Sequence, residues 1–203
     1  MTQTPLTRAP AATASAPAAA APAATATATA TAAARWTVRA VEPAALRQLR
    51  AADDAGHACE PFSDPEGGAP LRCCLRPSRV GESIALVSYA PLRRWAAESW
   101  ARPGAYDEQG PVFIHAEECE GPVPQDGYPF ARPGALRTLR RYDADGRIAG
   151  GRLLEIPEAA TEAFDEAIAE AFADPAVALV HVRAVEYGCF HFEVRRPQAA
   201  HGA

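Results

Sequence analysis

A chain of 203 residues with 48% hydrophobic content has enough apolar surface for one ordinary core, and a formal net charge of −5 argues against a nucleic-acid-binding face. All 20 basic residues are arginine, and lysine and asparagine are absent, the codon-use mark of a GC-rich genome before it is chemistry. The 5 cysteines are odd in number and form no C-x-x-C pair, so neither a disulfide framework nor a zinc ribbon is signalled, and reduced thiols with no bound metal are expected.

From Ala9 to Ala34 no large apolar side chain occurs, only Ala, Thr and Pro with rare exceptions. Such a segment buries too little surface to offset chain entropy, so 1–34 is expected to be a disordered tail. Arg8 ahead of the alanine run imitates a secretion signal, but Pro and Thr interrupt every candidate apolar window. No stretch reaches membrane-span length. A soluble cytoplasmic protein, without membrane or nucleic-acid partners, is the expectation.

Trp36, Val38 and Ala40 alternate with Thr37 and Arg39, which predicts a first strand, and Pro43 at the first helical position opens a short helix over 44–50. Residues 53–69, rich in Gly, Pro and Asp, read as a loop. Strands are predicted over 71–75 and 83–89; Cys73 and Cys74 would then point to opposite faces, and the second strand, apolar on both faces, belongs in a sheet interior. The 90–110 segment carries Trp95, Trp100 and Tyr106 with room for a helical turn before Pro103. A strand over 112–115 follows, then an irregular segment holding Pro122, Pro124, Pro129 and Pro133.

Strands over 136–142 and 147–155 flank Ala144-Asp145-Gly146, a three-residue loop that would align Tyr142 with Ile148 and Leu136 with Leu154. Pro157 opens the long helix, where Ile156, Ala160, Phe164, Ile168 and Phe172 recur every fourth residue and Asp174-Pro175 stops it. In the last hairpin parity sorts the residues. Val180, Val182, Phe190, Phe192 and Val194 occupy even positions, whereas His181, Arg183, Cys189, His191, Glu193 and Arg195 occupy odd ones. Around a Glu186-Tyr187-Gly188 loop this register sets His181 opposite Glu193 and Arg183 opposite His191. The fold expected is α+β, a mostly antiparallel sheet of about seven to eight strands with one long and one short helix. It would form a single domain over 35–197, followed by a disordered end over 198–203.

Gly81-Glu82 ahead of an apolar strand, Tyr106-Asp107-Glu108-Gln109-Gly110-Pro111-Val112-Phe113-Ile114, and the closing run from His181-Val182 through Gly188-Cys189 to Val194-Arg195 resemble the small bacterial proteins grouped as domain of unknown function 1203. The similarity would span 36–196 and implies a shared fold and no activity. Relatives tend to read His-Val-His-Asn where this chain has His181-Val182-Arg183-Ala184, and carry a His soon after the tyrosine matching Tyr89, where this chain has Ala90-Pro91-Leu92.

Three chemistries compete for the polar hairpin face. A metal would draw on His181, Cys189, His191 and Glu193, with His115 from another strand, but a guanidinium at Arg183 beside those donors disfavours a cation. A Cys189 nucleophile would need His191 or His181 as its base, yet side chains at i and i+2 on a strand stand roughly 6–7 Å apart, and no catalytic motif accompanies them. The third collects Arg183, His181 and His191, with Arg72 from a neighbouring strand, as donors to an anion. The expectation is therefore a binding or interaction domain for a small, anionic molecule or a protein, with no cofactor or metal; the alternative is a small-molecule enzyme using His181, Cys189 and His191. Burial separates them, since a cleft requires the polar face to be covered.

Overall fold

The computed structural model describes residues 36–196; the tail expected over 1–34 and the end expected over 198–203 lie outside them. Proline opens both short helices, because its missing N–H falls among first-turn donors that have no helical partner in any case. They are Pro43–Ala51 (α1) and Pro91–Ser99 (α2). The second corrects the expectation of a single turn in that segment: Leu92, Trp95 and Ala96 form an inward stripe long enough to hold a helix, and Trp100 ends it at φ +62°.

The long helix is Ala160–Ala173 (α3), and it starts later than Pro157. Ile156 is still tied into the sheet there, its N–H donating to Ala135 and its carbonyl accepting from Gly134, so the chain must leave the strand before it can coil. Arg196 closes the far end by donating to the carbonyls of Phe172 at 2.9 Å and Asp174 at 2.7 Å.

Among the described residues the strands are Val38–Arg39 (β1), Pro61–Ser63 (β2), Pro70–Leu71 (β3), Arg76–Pro77 (β4), Ser83–Tyr89 (β5), Gly110–His115 (β6), Leu136–Asp143 (β7), Ile148–Glu155 (β8), Val177–Ala184 (β9) and Phe190–Arg195 (β10). They build two 5-stranded sheets, ordered β1-β10-β9-β7-β8 and β2-β5-β6-β3-β4, in place of one sheet of seven or eight. The α+β class and the antiparallel character stand, with β3–β6 the one parallel pairing among the described residues. The division has a physical cause. β9 and β10 are buried on both faces, so a second layer must cover what a single sheet would leave wet.

Val180, Val182, Phe192 and Val194 turn toward α3 and pack with Leu139, Phe164, Ile168 and Phe172. Leu46 and Leu49 of α1 pack with Leu71, Ile84, Val87 and Ile114 of the second sheet. Leu92 and Trp95 of α2 lie against Tyr142 and Leu179, covering the other side of the first sheet.

Residues 72–75 are not a strand but a tight turn joining β3 to β4, closed by Leu75 N–H to Leu71 C=O at 2.9 Å with Leu75 at φ +58°. Cys73 and Cys74 consequently share a side, their sulfurs 4.0 Å apart, instead of opposing faces. In the β7–β8 hairpin Tyr142 does pair with Ile148, but an irregularity between Arg141 and Tyr142 moves Leu136 onto Glu155 and Arg137 onto Leu154.

Phe164 is wholly buried at the centre of the α3 core. Phe164→Ala is expected to cost about 3–5 kcal/mol in urea unfolding, through lost transfer energy and the void left behind. A cost under about 1 kcal/mol would show that the helix does not carry the core assigned to it.

Candidate functional site

One extra residue in β10 redirects two side chains. Glu193 pairs with His181 and Val194 with Val180, as alternation requires, but Phe190 pairs with Arg183 and Phe192 with Val182, so His191 falls in a β-bulge. The expected pairing of His191 with Arg183 is thereby overturned. Phe190 swings to the His181 side, 5.2 Å from that imidazole and 5.5 Å from the ring of Tyr89, and joins the core of the second sheet. His191 goes the other way. It meets the ring of Phe130 edge-on at 5.1 Å and lines a cavity of about 1080 Å³. Gly188 has the expected positive φ, +66°, a conformation that costs a residue without Cβ nothing, but the loop is longer than the three residues expected, since the Ala184 N–H donates to the Cys189 carbonyl at 3.0 Å and leaves 185–188 between them.

Both sheets line this cleft. Leu86, Phe113, Tyr128, Phe130 and Tyr187 give it apolar walls, and Arg72, Arg132, Arg137, Glu186, Cys189 and His191 supply its polar groups, three guanidiniums against one carboxylate. Arg72 leaves the 72–75 turn and is only 2% exposed. Its Nε donates to the Phe190 carbonyl at 2.7 Å, its Nη1 bonds the Pro70 carbonyl, and its guanidinium lies 5.9 Å from the Phe130 ring centre. No carboxylate among the described residues comes within ion-pair distance of it. Arg137, on β7, donates to the carbonyls of Leu136 at 2.7 Å and Phe130 at 3.0 Å; its ion pair is with Glu186 at 3.7 Å, a half-exposed side chain.

The electrostatic result is a concentration of positive charge in a dry place. Burial pulls Arg72 down to about 10, with the charge of Arg137 acting in the same direction against the Cys189 thiol. Burial likewise lowers Arg137. His191 is held down to about 3, first by burial and then by Arg72 and Arg137, so its imidazole is neutral, and its Nδ1 has no hydrogen-bond partner among the described residues. Phe130 itself sits at φ +58°, strained for a residue with a Cβ, and its carbonyl is pinned by Arg137 and by the Arg132 N–H at 3.1 Å.

Of the residues singled out from sequence, Arg72, Cys189 and His191 meet at this cleft. The Cys189 thiol contacts the Tyr187 carbonyl at 3.6 Å, and no hydrogen bond joins it to His191. His181, Arg183 and Glu193 do not line the cavity. His181 is fully buried against Tyr142 at 4.8 Å, with Nε2 3.5 Å from the Glu193 carboxylate. Burial lowers His181, whereas Glu193 stays below the usual carboxylate range against its own burial, because His181 and Arg195 hold its charge. Arg183 pairs with Glu108 at 2.7 Å and donates to the Gly188 carbonyl at 3.0 Å. His181 and Glu193 thus pair with each other, while Arg183 is tied separately to Glu108 and to the hairpin loop. His115 ends β6, in a third neighbourhood beside Cys73.

Sequence reasoning missed Arg137 and Phe130. Arg137 shares the parity of Leu139, so an arginine in the buried phase of a strand was its signal. Phe130 stood in a segment that its prolines marked only as irregular.

The family model described as a protein of unknown function, DUF1203, matches residues 68–196. The chain belongs to that family. The match begins after α1 and β2, a narrower span than the 36–196 expected from the motifs, and it contains every residue of the cleft named above. No curated protein matches the chain, and no solved structure does. The DUF1203 assignment therefore brings no activity with it.

The depressed His191 carries a pH signature. Between its ordinary value of 6.5 and about 3 the unfolded chain binds a proton that the folded one refuses. Its contribution to stability is full above the upper value and is lost as pH falls through the window. In urea unfolding over that range, His191→Gln is expected to show a shallower loss than the parent, by up to about 1.4 kcal/mol per pH unit. Parallel curves would mean that His191 charges freely in the folded protein.

Proposed function

We propose that this DUF1203 protein binds a small organic anion with an apolar body in the cleft between its two sheets. The observation that carries the reading is Arg72, a guanidinium 2% exposed with no carboxylate partner among the described residues. A buried charge without a counter-ion is costly, and an anion arriving in the cleft offsets that cost. Arg137 adds a second guanidinium, and neutral His191 adds a polar group without competing charge. Aromatic and aliphatic walls ask for a hydrophobic body on the ligand, such as an aryl or alkyl carboxylate.

Binding is favoured over nucleophilic catalysis because the Cys189 thiol is turned to a backbone carbonyl and is joined to no base. The compartment is inferred to be reducing, a bacterial cytoplasm, since all five cysteines are free. No helix among the described residues is long and apolar enough to cross a membrane.

Calorimetric titration with benzoate, hexanoate and inorganic phosphate tests the reading. Benzoate or hexanoate is expected to bind more tightly than phosphate, and Arg72→Gln and Arg137→Gln, checked for folding by circular dichroism, to weaken that binding about 10- to 100-fold through lost charged hydrogen bonds. Absence of binding by both carboxylates, or folded variants with unchanged affinity, would overturn it.

A further inference from the structure

The turn between β3 and β4 presents a second cluster on the far side of Arg72. Cys73, Cys74, His115 and Cys119 place one donor atom each within 4.8 Å of all the others. The two sulfurs of the turn are 4.0 Å apart, and His115 Nδ1 lies 3.3 Å from Cys73 Sγ and 3.8 Å from Cys74 Sγ. A tetrahedral zinc ion with bonds of about 2.3 Å to sulfur and about 2.0 Å to nitrogen needs donor–donor edges of roughly 3.5–3.8 Å, close to these spacings before any metal draws the groups in. We propose that Cys73, Cys74, His115 and Cys119 bind one zinc ion in a closed structural site.

The surroundings are those a metal site requires. Metal binding through His115 Nδ1 requires the proton on Nε2, which then faces the Glu82 carboxylate 3.5 Å away, and the Arg76 Nη2 group, a donor only, must turn from Nε2 toward Glu82 alone. Glu82 is itself held by both terminal nitrogens of Arg76, at 2.7 and 2.9 Å, and by the Arg79 N–H at 2.8 Å. The backbone N–H of His115 points at Cys73 Sγ at 3.3 Å, a donor to a thiolate. Three thiolates around a divalent ion leave one net negative charge, and the Arg76 guanidinium, 3.2 Å from His115 Nε2, lies where it offsets that charge. A side cavity of about 340 Å³, lined by Cys73, Cys119 and Arg50 among others, gives the ion a way in.

Soft thiolates with one imidazole select zinc over magnesium or calcium, and four protein donors leave no open position for substrate. The ion would tie the 72–75 turn to the end of β6 and the loop that follows, and so fix the backbone from which Arg72 enters the cleft. The inference rests on residues other than the anion-binding groups, and each can fail alone.

The test uses the full-length protein purified under reductant and without chelator. Native mass spectrometry is expected to find one zinc per chain. After chelation, cobalt(II) should restore a single site with tetrahedral d–d bands and thiolate-to-cobalt charge transfer. Cys74→Ser and Cys119→Ser are expected to lose those bands, Cys189→Ser to keep them, and Glu82→Gln to weaken zinc binding about 10- to 100-fold. Cys119→Ser, on a loop, keeps the test open if Cys74→Ser does not fold. Reduced wild-type protein that takes up neither ion, or folded Cys119→Ser protein with an unchanged cobalt spectrum, would overturn the site.

Discussion

The bond from Arg72 Nε to the Phe190 carbonyl ties the two sheets together across the cleft, alongside the packing of Phe190 into the second sheet's core. One partner comes from a turn of the second sheet, the other from the bulge in the last strand of the first. A guanidinium so placed cannot retreat to solvent, and its remaining donors must find carbonyls or a ligand, because a buried charge left without partners costs several kcal/mol. The cleft follows from that constraint. Arg72 reaches across, Phe130 lies over it, and Arg137 pins the Phe130 carbonyl from the next strand.

The other polar side chains of the last hairpin serve a different purpose. His181 lies against Tyr142 and Phe190, Glu193 lies near Trp95 of α2, and Arg183 is paired with Glu108. Glu193 keeps its charge against its own burial because His181 and Arg195, the latter at 2.5 Å, hold it. A network of this kind contributes little net stability compared with an apolar core, yet it penalises wrong registers heavily, since a slipped strand would strand each charge alone.

Two neighbouring features share the 72–75 turn. Its Arg72 side chain enters the cleft between the sheets, and its two thiols face His115 on the opposite side. The helical-type hydrogen bond from Leu75 to Leu71 produces that split, since consecutive side chains on a coiled turn fan out instead of alternating. A strand over the same residues would have sent Cys73 and Cys74 to opposite faces and dispersed the cluster.

Local pattern by itself determined the helix stripe at Phe164, Ile168 and Phe172, the proline-opened α1, the strand pairing of His181 with Glu193, the glycine turn at Gly188 and the family motifs. Each depends on neighbours along one helix, strand or turn, where periodicity and φ preference act directly. The location of His191 was not legible, because parity keeps its meaning only while strands pair one to one, and a bulge breaks that count without leaving a mark in composition. Nor was the gathering of Cys73, Cys74, His115 and Cys119, which lie on a turn, a strand end and a loop separated by up to 46 positions in the chain. Only the tertiary structure decided which of the polar residues meet, since pairing between sheets is set by packing and by the need to satisfy each buried charge, and neither is encoded at any fixed sequence spacing.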